Sequence, residues 1–342
     1  MQRILKQPPA TWRHWKLLVA AILLAGLAMV GFVWYQYQST KQPLQDLSAL
    51  PWVPQALTSD APRYALSVYG EDSLDRPLGV AASSSSDHVY VSESGGERAV
   101  RVFDRDGQEM GALVPPNTTE ITRVPLYLAL APDGRLFASD RPNHAVYIFS
   151  PSGEFVGAFQ PQTVPAGDWS PMGLAFDDQG NLYVTDVSPD KHRVLVFDST
   201  GALKLQFGSQ GTAPGQFWFP NGIAVDRAGR IYVADGNNGR VQVFDPQGNL
   251  LSVIPRGYGP GDLAMPRGLA IDGHDRLYVA DTSTHVVKIY DISGDKPEFK
   301  ADFGGYGNGD GQFRFPNGVA VDGDNRVYVT DRDGGRLQIW SY

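Results

Sequence analysis

Residues 220–248 read Pro220-Asn221-Gly222-Ile223-Ala224-Val225-Asp226, a turn through Ala228-Gly229, then Ile231-Tyr232-Val233-Ala234-Asp235, a short loop, Val241-Gln242-Val243-Phe244-Asp245 and a turn ending at Gly248. The phrase recurs along the chain. Its anchor prolines are Pro77, Pro125, Pro171, Pro220, Pro266 and Pro316, with successive spacings of 48, 46, 49, 46 and 50 residues. Recurrence at a nearly fixed long period means that one supersecondary unit is stacked many times. Each period holds four short runs rich in β-branched and aromatic residues, separated by turn clusters such as Asp133-Gly134 and Gly323-Asp324-Asn325.

The period and the strand count predict an all-β chain of propeller blades, each a four-stranded antiparallel sheet. Closure into a ring covers the edges that a single blade would leave open. The last copy stops at Trp340-Ser341-Tyr342, after its third strand. Upstream of the first copy, residues 64–70 (Tyr-Ala-Leu-Ser-Val-Tyr-Gly) resemble the fourth strands Leu203 to Gly208 and Phe299 to Gly304. This predicts a propeller over residues 61–342 whose N-terminal strand completes the last blade.

A second signal precedes the ring. Leu17 to Tyr35 is apolar and uninterrupted by charge, long enough for a transmembrane helix. Arg3, Lys6, Arg13 and Lys16 precede it, and no acid occurs before Asp46. The positive-inside rule then places residues 1–16 in the cytoplasm as a basic arm, and the propeller on the extracytoplasmic side of the cell membrane. Trp12, Trp15, Trp34, Tyr35 and Tyr37 fit interfacial anchors. A cleaved signal peptide is the rival reading, with Gly26 and Ala28 as small residues for a peptidase; the apolar run continues past them and favours a single-pass signal-anchor. Residues 36–60 carry Pro43, Pro51 and Pro54 and read as a polar tether.

Composition excludes several functions. The chain has no cysteine, so disulfides, thiolate metal sites and RING-type zinc domains are out. Its 29 basic and 37 acidic side chains give a net charge of −8. Four of the basic residues and none of the acids lie before residue 39, so the remainder carries 25 minus 37, or −12. Nucleic-acid binding needs a basic footprint, and this chain has the opposite. No Ser-His-Asp order, phosphate loop or dinucleotide fingerprint stands out.

The copies resemble NHL repeats, carried by the Pro-x-Gly-x-Ala-x-Asp and Tyr-Val-x-Asp phrases and strongest in copies three to six. Copies one and two are degenerate; Tyr127 replaces the usual glycine of the second. The resemblance implies a six-bladed propeller and says little of activity, because the fold hosts many functions. It also bears on the histidines. His144 and His285 sit at a spacing similar to one zinc-ligand position of the peptide-amidating lyases, which are propellers of this type. Those lyases place histidine beside the blade-opening proline, where this chain has Leu78, Leu126, Met172, Asn221, Arg267 and Asn317. A site of three imidazoles is therefore not assembled, and His14, His88, His144, His192, His274 and His285 read as surface residues; no metal or cofactor is assigned.

In such blades the d–a and b–c loops share one face. The residues nominated there for contact with a partner are Trp169, Trp218, Asn221, Arg240, Tyr258, Arg267, Tyr306, Arg314, Asn317 and Arg336, because aromatic and arginine side chains dominate hot spots. Rings that only fill gaps between blades are the competing reading, and Phe217 and Phe313 are assigned to that role. The recurrent Asp140, Asp186, Asp235, Asp281 and Asp331 read as loop caps paired within a blade to Arg193, Arg240 and Arg336, and Asp177, Asp226, Asp272 and Asp322 as turn formers. The functional expectation is a membrane-anchored, extracytoplasmic binding or scaffold module that recruits a protein, a peptide or an envelope glycan. The alternative is a metal-dependent propeller enzyme, lyase or lactonase, working in the central channel.

Overall fold

The computed structural model describes residues 61–70, 74–83, 87–162 and 169–342. The predicted membrane helix, basic arm and tether lie outside the described residues. Among the described residues, no helix is long and apolar enough to cross a membrane.

The chain forms six four-stranded antiparallel sheets. Strand β1 is Arg63–Val68. Blade 1 is β2 to β5, Pro77–Ala82, His88–Glu93, Val100–Asp104 and Glu109–Leu113. Blade 2 is β6 to β9, Pro125–Leu130, Leu136–Asp140, Ala145–Phe149 and Phe155–Ala158. Blade 3 is β10 to β13, Pro171–Phe176, Leu182–Asp186, Arg193–Phe197 and Leu203–Phe207. Blade 4 is β14 to β17, Pro220–Val225, Ile231–Asp235, Arg240–Phe244 and Leu250–Ile254. Blade 5 is β18 to β21, Pro266–Ile271, Arg276–Asp281, Val286–Asp291 and Glu298–Gly304. Blade 6 is β22 to β24, Pro316–Val321, Val327–Asp331 and Arg336–Ser341, and β1 pairs with β24 as its fourth strand.

Every anchor proline opens an innermost strand. Proline has no N–H to give a ladder, so the first residue of a strand suits it. Each inner strand is irregular just after its proline, between Pro220 and Ile223 in blade 4. The glycine inside that irregularity touches the next blade. A Cβ on Gly79, Gly173, Gly222, Gly268 or Gly318 would lie 2.0 to 2.5 Å from the carbonyl oxygen of Leu126, Asn221, Arg267, Asn317 or Leu78 respectively. Only glycine allows that approach. Three blades add a hydroxyl relay across the same boundary. In blade 6, Gly318 N–H donates to Thr330 Oγ1 (2.7 Å), which donates to the Leu78 carbonyl of blade 1 (2.7 Å), joining the two ends of the ring. Ser92 and Thr185 repeat the relay toward Leu126 and Asn221. In blade 2, where Tyr127 replaces glycine, Ser139 bonds back to the N–H and carbonyl of Tyr127 instead.

The second strands are covered on both faces and read as continuous apolar runs; all of Ile231-Tyr232-Val233-Ala234-Asp235 is buried. The fourth strands are more exposed, and β13 alternates half-buried with exposed residues. The core lies between neighbouring sheets: Tyr232, Val243 and Ile254 of blade 4 meet Leu277, Val279 and Tyr290 of blade 5.

Candidate functional site: the loop face and channel mouth

The carboxylate ending each second strand fastens the loops of its blade. Asp235 accepts from Trp218 N–H (2.7 Å), Asn238 Nδ2 (2.8 Å) and Arg240 Nε (2.8 Å). Arg240 Nη2 reaches on to the carbonyls of Ala213 and Gln216, both at 2.8 Å. Blade 6 repeats this: Asp331 accepts from Arg314 N–H (2.6 Å) and Arg336 Nε (3.1 Å), and Arg336 donates to the carbonyls of Asn308, Gly309 and Gln312 and to the Tyr69 hydroxyl. Asp186 pairs with Arg193 at 2.8 Å. Asp140 and Asp281 cap their loops without arginine, and Glu93 takes the place in blade 1. Burial first of all raises the Asp235 and Asp331 pKa against these stabilising bonds. The turn acids behave alike: Asp226 accepts from the N–H groups of Ala228 and Arg230 and from the Tyr232 hydroxyl.

These bonds divide the nominated contact residues. Arg240 and Arg336 are loop fasteners, turned toward their own blades. Trp169 is buried, its Nε1–H donating to the His144 carbonyl at 2.7 Å and its ring packed on Phe159 and Phe197; it is a packing residue. Trp218, Tyr258 and Tyr306 stand outside, at 46 %, fully and 68 % exposed. Their three d–a loops share one build. Each has an isolated parallel bridge, Gln210 to Phe217, Arg256 to Leu263 and Tyr306 to Phe313, and each is pinned by a fully buried apolar plug, Phe217, Leu263 or Phe313. Three exposed rings thus stand on similarly built d–a loops of consecutive blades.

The residue after each anchor proline lies on the innermost strand of its blade. Asn221, Arg267 and Asn317 form a polar arc over blades 4 to 6; Leu78, Leu126 and Met172 form an apolar arc over blades 1 to 3. Arg267 Nη1 donates to Asn221 Oδ1 at 2.7 Å, and Asn221 Nδ2 donates to the Phe219 carbonyl. Tyr127 packs with Met172, Val187, Leu126 and Phe219. Burial pushes its pKa up to about 12, and the Arg267 charge, from the opposite side of the ring, acts against that rise. Arg314, at the edge of the face, has an Nε without an acceptor.

Of the described histidines, His144 and His274 are exposed as their surface assignment expects, His88 and His285 are half-buried, and His192 departs from it by being buried. His144, His192 and His285 occupy one recurrent left-handed position before the third strand, with φ of 52°, 21° and 61°; Arg98, Gly239 and Gly335 fill it elsewhere. Histidine tolerates that conformation, and the turn directs its ring under the following loop. His192 is buried, and its Nδ1 accepts from Phe219 N–H; His285 Nδ1 accepts from Phe315 N–H at 3.2 Å, with Tyr306 against the ring; His144 Nδ1 bonds the Trp169 carbonyl. His144 and His285 are each tied to their own loops. Burial lowers the pKa of both His192 and His285 from the ordinary 6.5. The unfolded chain therefore takes up protons first on acidification: this stability is complete above about pH 6.5 and is lost as pH falls through the folded values. The thermal midpoint is expected to fall between about pH 7.5 and about pH 5, with a shallower slope in a His192→Asn, His285→Asn double variant. Equal slopes in the two proteins would refute the assignment.

The NHL repeat matches residues 217–244, 263–290 and 313–340. These are the copies whose d–a loops carry the buried plug Phe217, Leu263 or Phe313. The chain is thus a six-bladed β-propeller carrying NHL repeats. No curated protein matches the chain in sequence. Among solved structures, a gluconolactonase from Xanthomonas campestris superposes with a TM-score of 0.62 at 18% identity, covering 84% of this chain and 93% of that one. A streptogramin B lyase gives 0.59 at 13% identity, covering 81% and 96%, and virginiamycin B lyase from Staphylococcus aureus 0.56 at 14%, covering 81% and 98%. At these identities the likeness is one of fold.

Proposed function

We propose that the chain is a membrane-anchored, extracytoplasmic binding module that recruits a protein or peptide partner through the loop face of its propeller. The observation that carries this reading is the exposure of Trp218, Tyr258 and Tyr306 on three similarly built d–a loops. Aromatic rings on a preorganised face bind with little ordering cost. The apolar stretch Leu17–Tyr35, its basic flank and the acidic remainder support the anchor and the extracytoplasmic placement. A metal-dependent reaction at the channel mouth fits the residues poorly, since the polar arc offers two amides and a guanidinium, and that cation opposes a metal ion. The test is crosslinking in intact cells, followed by capture with the full chain. A Trp218→Ala, Tyr258→Ala, Tyr306→Ala variant is expected to lose the captured partner while melting within about 2 °C of the parent, since exposed side chains contribute little stability. Undiminished capture would remove the loop face from the function.

A further inference from the structure

Several arginines of the blades stand beside carboxylates, among them Arg193 with Asp186, Arg230 with Asp226, Arg240 with Asp235, Arg276 with Asp272 and Arg336 with Asp331. Arg267 has none within ion-pair distance among the described residues. Its side chain meets only the Asn221 amide oxygen (2.7 Å) and the Met265 Sδ (3.5 Å), and its Nε is shielded from solvent without an acceptor. Withdrawing a guanidinium from water without a counter-charge is costly. In the next blade Asn317 is 5 % exposed, its side chain makes no hydrogen bond, and its shielded Oδ1 lacks a donor. The polar arc thus lacks an anionic acceptor at Arg267 and an N–H donor at Asn317, while the inner-strand position after the proline holds the half-buried Leu78 in blade 1, next in the ring to Asn317.

We propose that the channel mouth is a receptor for a carboxylate flanked by an amide N–H and an apolar side chain, the group that ends a peptide chain. The carboxylate accepts from Arg267, the adjacent amide N–H donates to Asn317 Oδ1, and the aliphatic side chain lies toward the half-buried Leu78. A free amino acid is disfavoured, because its ammonium would face the guanidinium. Arg267 is only half-buried, so its side chain can be approached. This assignment stands on the channel residues and does not depend on the aromatic loops; its failure leaves the capture experiment above unaffected.

The test titrates the full chain in mild detergent with N-acetyl-Ala-Ala-Leu by calorimetry. Saturable binding of one molecule is expected, at least about tenfold tighter than that of the same tripeptide as its C-terminal amide, since charge-assisted bonds to carboxylate are the strong ones. Arg267→Gln is expected to weaken binding by about tenfold or more, and Asn317→Ala to a smaller extent. Arg227→Gln, an arginine in the a–b turn of blade 4, serves as the charge control and leaves the affinity unchanged. Equal affinity for the acid and the amide overturns the proposal. So does acetate binding as tightly as the tripeptide, which would reduce the site to a simple anion pocket. Absence of binding to the parent also overturns it. The Arg267→Gln thermal midpoint, read alongside, separates lost recognition from lost folding.

Discussion

Replacing Arg336 with methionine is expected to destabilise the propeller by about 3–5 kcal/mol, the range for removing one partner of a buried ion pair. Arg336 is 2 % exposed and among the largest fully buried side chains, and Asp331 is fully buried. The substitution keeps much of the aliphatic volume, so packing loss is small and the charge left on Asp331 dominates. Burial already raises the Asp331 pKa, and losing the guanidinium raises it further. Three loop carbonyls, on Asn308, Gly309 and Gln312, and the Tyr69 hydroxyl lose their donor at the same time. At about 2–4 °C per kcal/mol for a domain of this size, the thermal midpoint is expected to drop by roughly 10 °C. Arg193→Met is the internal comparison: that arginine also pairs with a buried aspartate, but its side chain is 12 % accessible and it bonds Gln206 at the surface, so its loss is expected to cost less. An Arg336→Met, Asp331→Leu double variant is expected to recover about 2 kcal/mol relative to the sum of the single losses, because the two residues share one network. A single variant within about 1 kcal/mol of the parent would mean that solvent reaches Asp331 and that the fastener is redundant.

The same fastener shows what the sequence conveyed and what it left undetermined. The proline period marked the blades because Pro-x-Gly has a steric reason at every copy: a strand start that needs no N–H, followed by a residue against the next carbonyl. The recurrent Asp and its following arginine were legible as a loop cap for a similar reason, since both lie within one blade. Arg240 and Arg336 were nevertheless nominated also for partner contact, because a strand-borne arginine near a loop gives no sign of which way its fork turns. The channel arc was less accessible still. Asn221 and Arg267 are 46 residues apart and meet only because adjacent blades place equivalent positions side by side. Trp169 and Trp218 look alike as loop tryptophans. Only the His144 carbonyl, waiting for the indole N–H, separates the buried ring from the exposed one. His192 was misplaced at the surface because a left-handed turn inverts the direction of its ring, and φ is not written in a histidine.

Removing residues 61–70 is expected to abolish cooperative folding of the ring. β1 is the sole partner of the outer edge of β24, paired from Arg63 with Ser341 to Val68 with Leu337. Its loss uncovers a row of backbone groups on β24 and opens a sheet edge available to other chains. The side chains matter as much. Val68 is buried in a cluster that spans the join, with Leu337 and Ile339 of blade 6 and with Val80, Val91 and Phe103 of blade 1, and Leu66 packs against it. Tyr64 meets Trp340 edge-on at 5.8 Å, and Ser67 Oγ donates to Asp310 on the d–a loop before blade 6. The deletion therefore strips one blade of its cover, loosens its neighbour and frees Arg336 from Tyr69, against a total margin of about 5–15 kcal/mol. A gentler variant isolates the packing: Val68→Asp places an unpaired carboxylate among apolar side chains and is expected to cost about 3 kcal/mol or more while leaving the strand's backbone ladder in place. Thermal melts followed by circular dichroism distinguish the two, with a broad, early transition for the deletion and a sharp but lowered one for Val68→Asp. A deletion that melts within about 2 °C of the parent would show that the hydroxyl relay from Thr330 to Leu78 and the interlocked inner strands hold the ring without its outer strap, because the loss of a full strand would otherwise move the midpoint by far more.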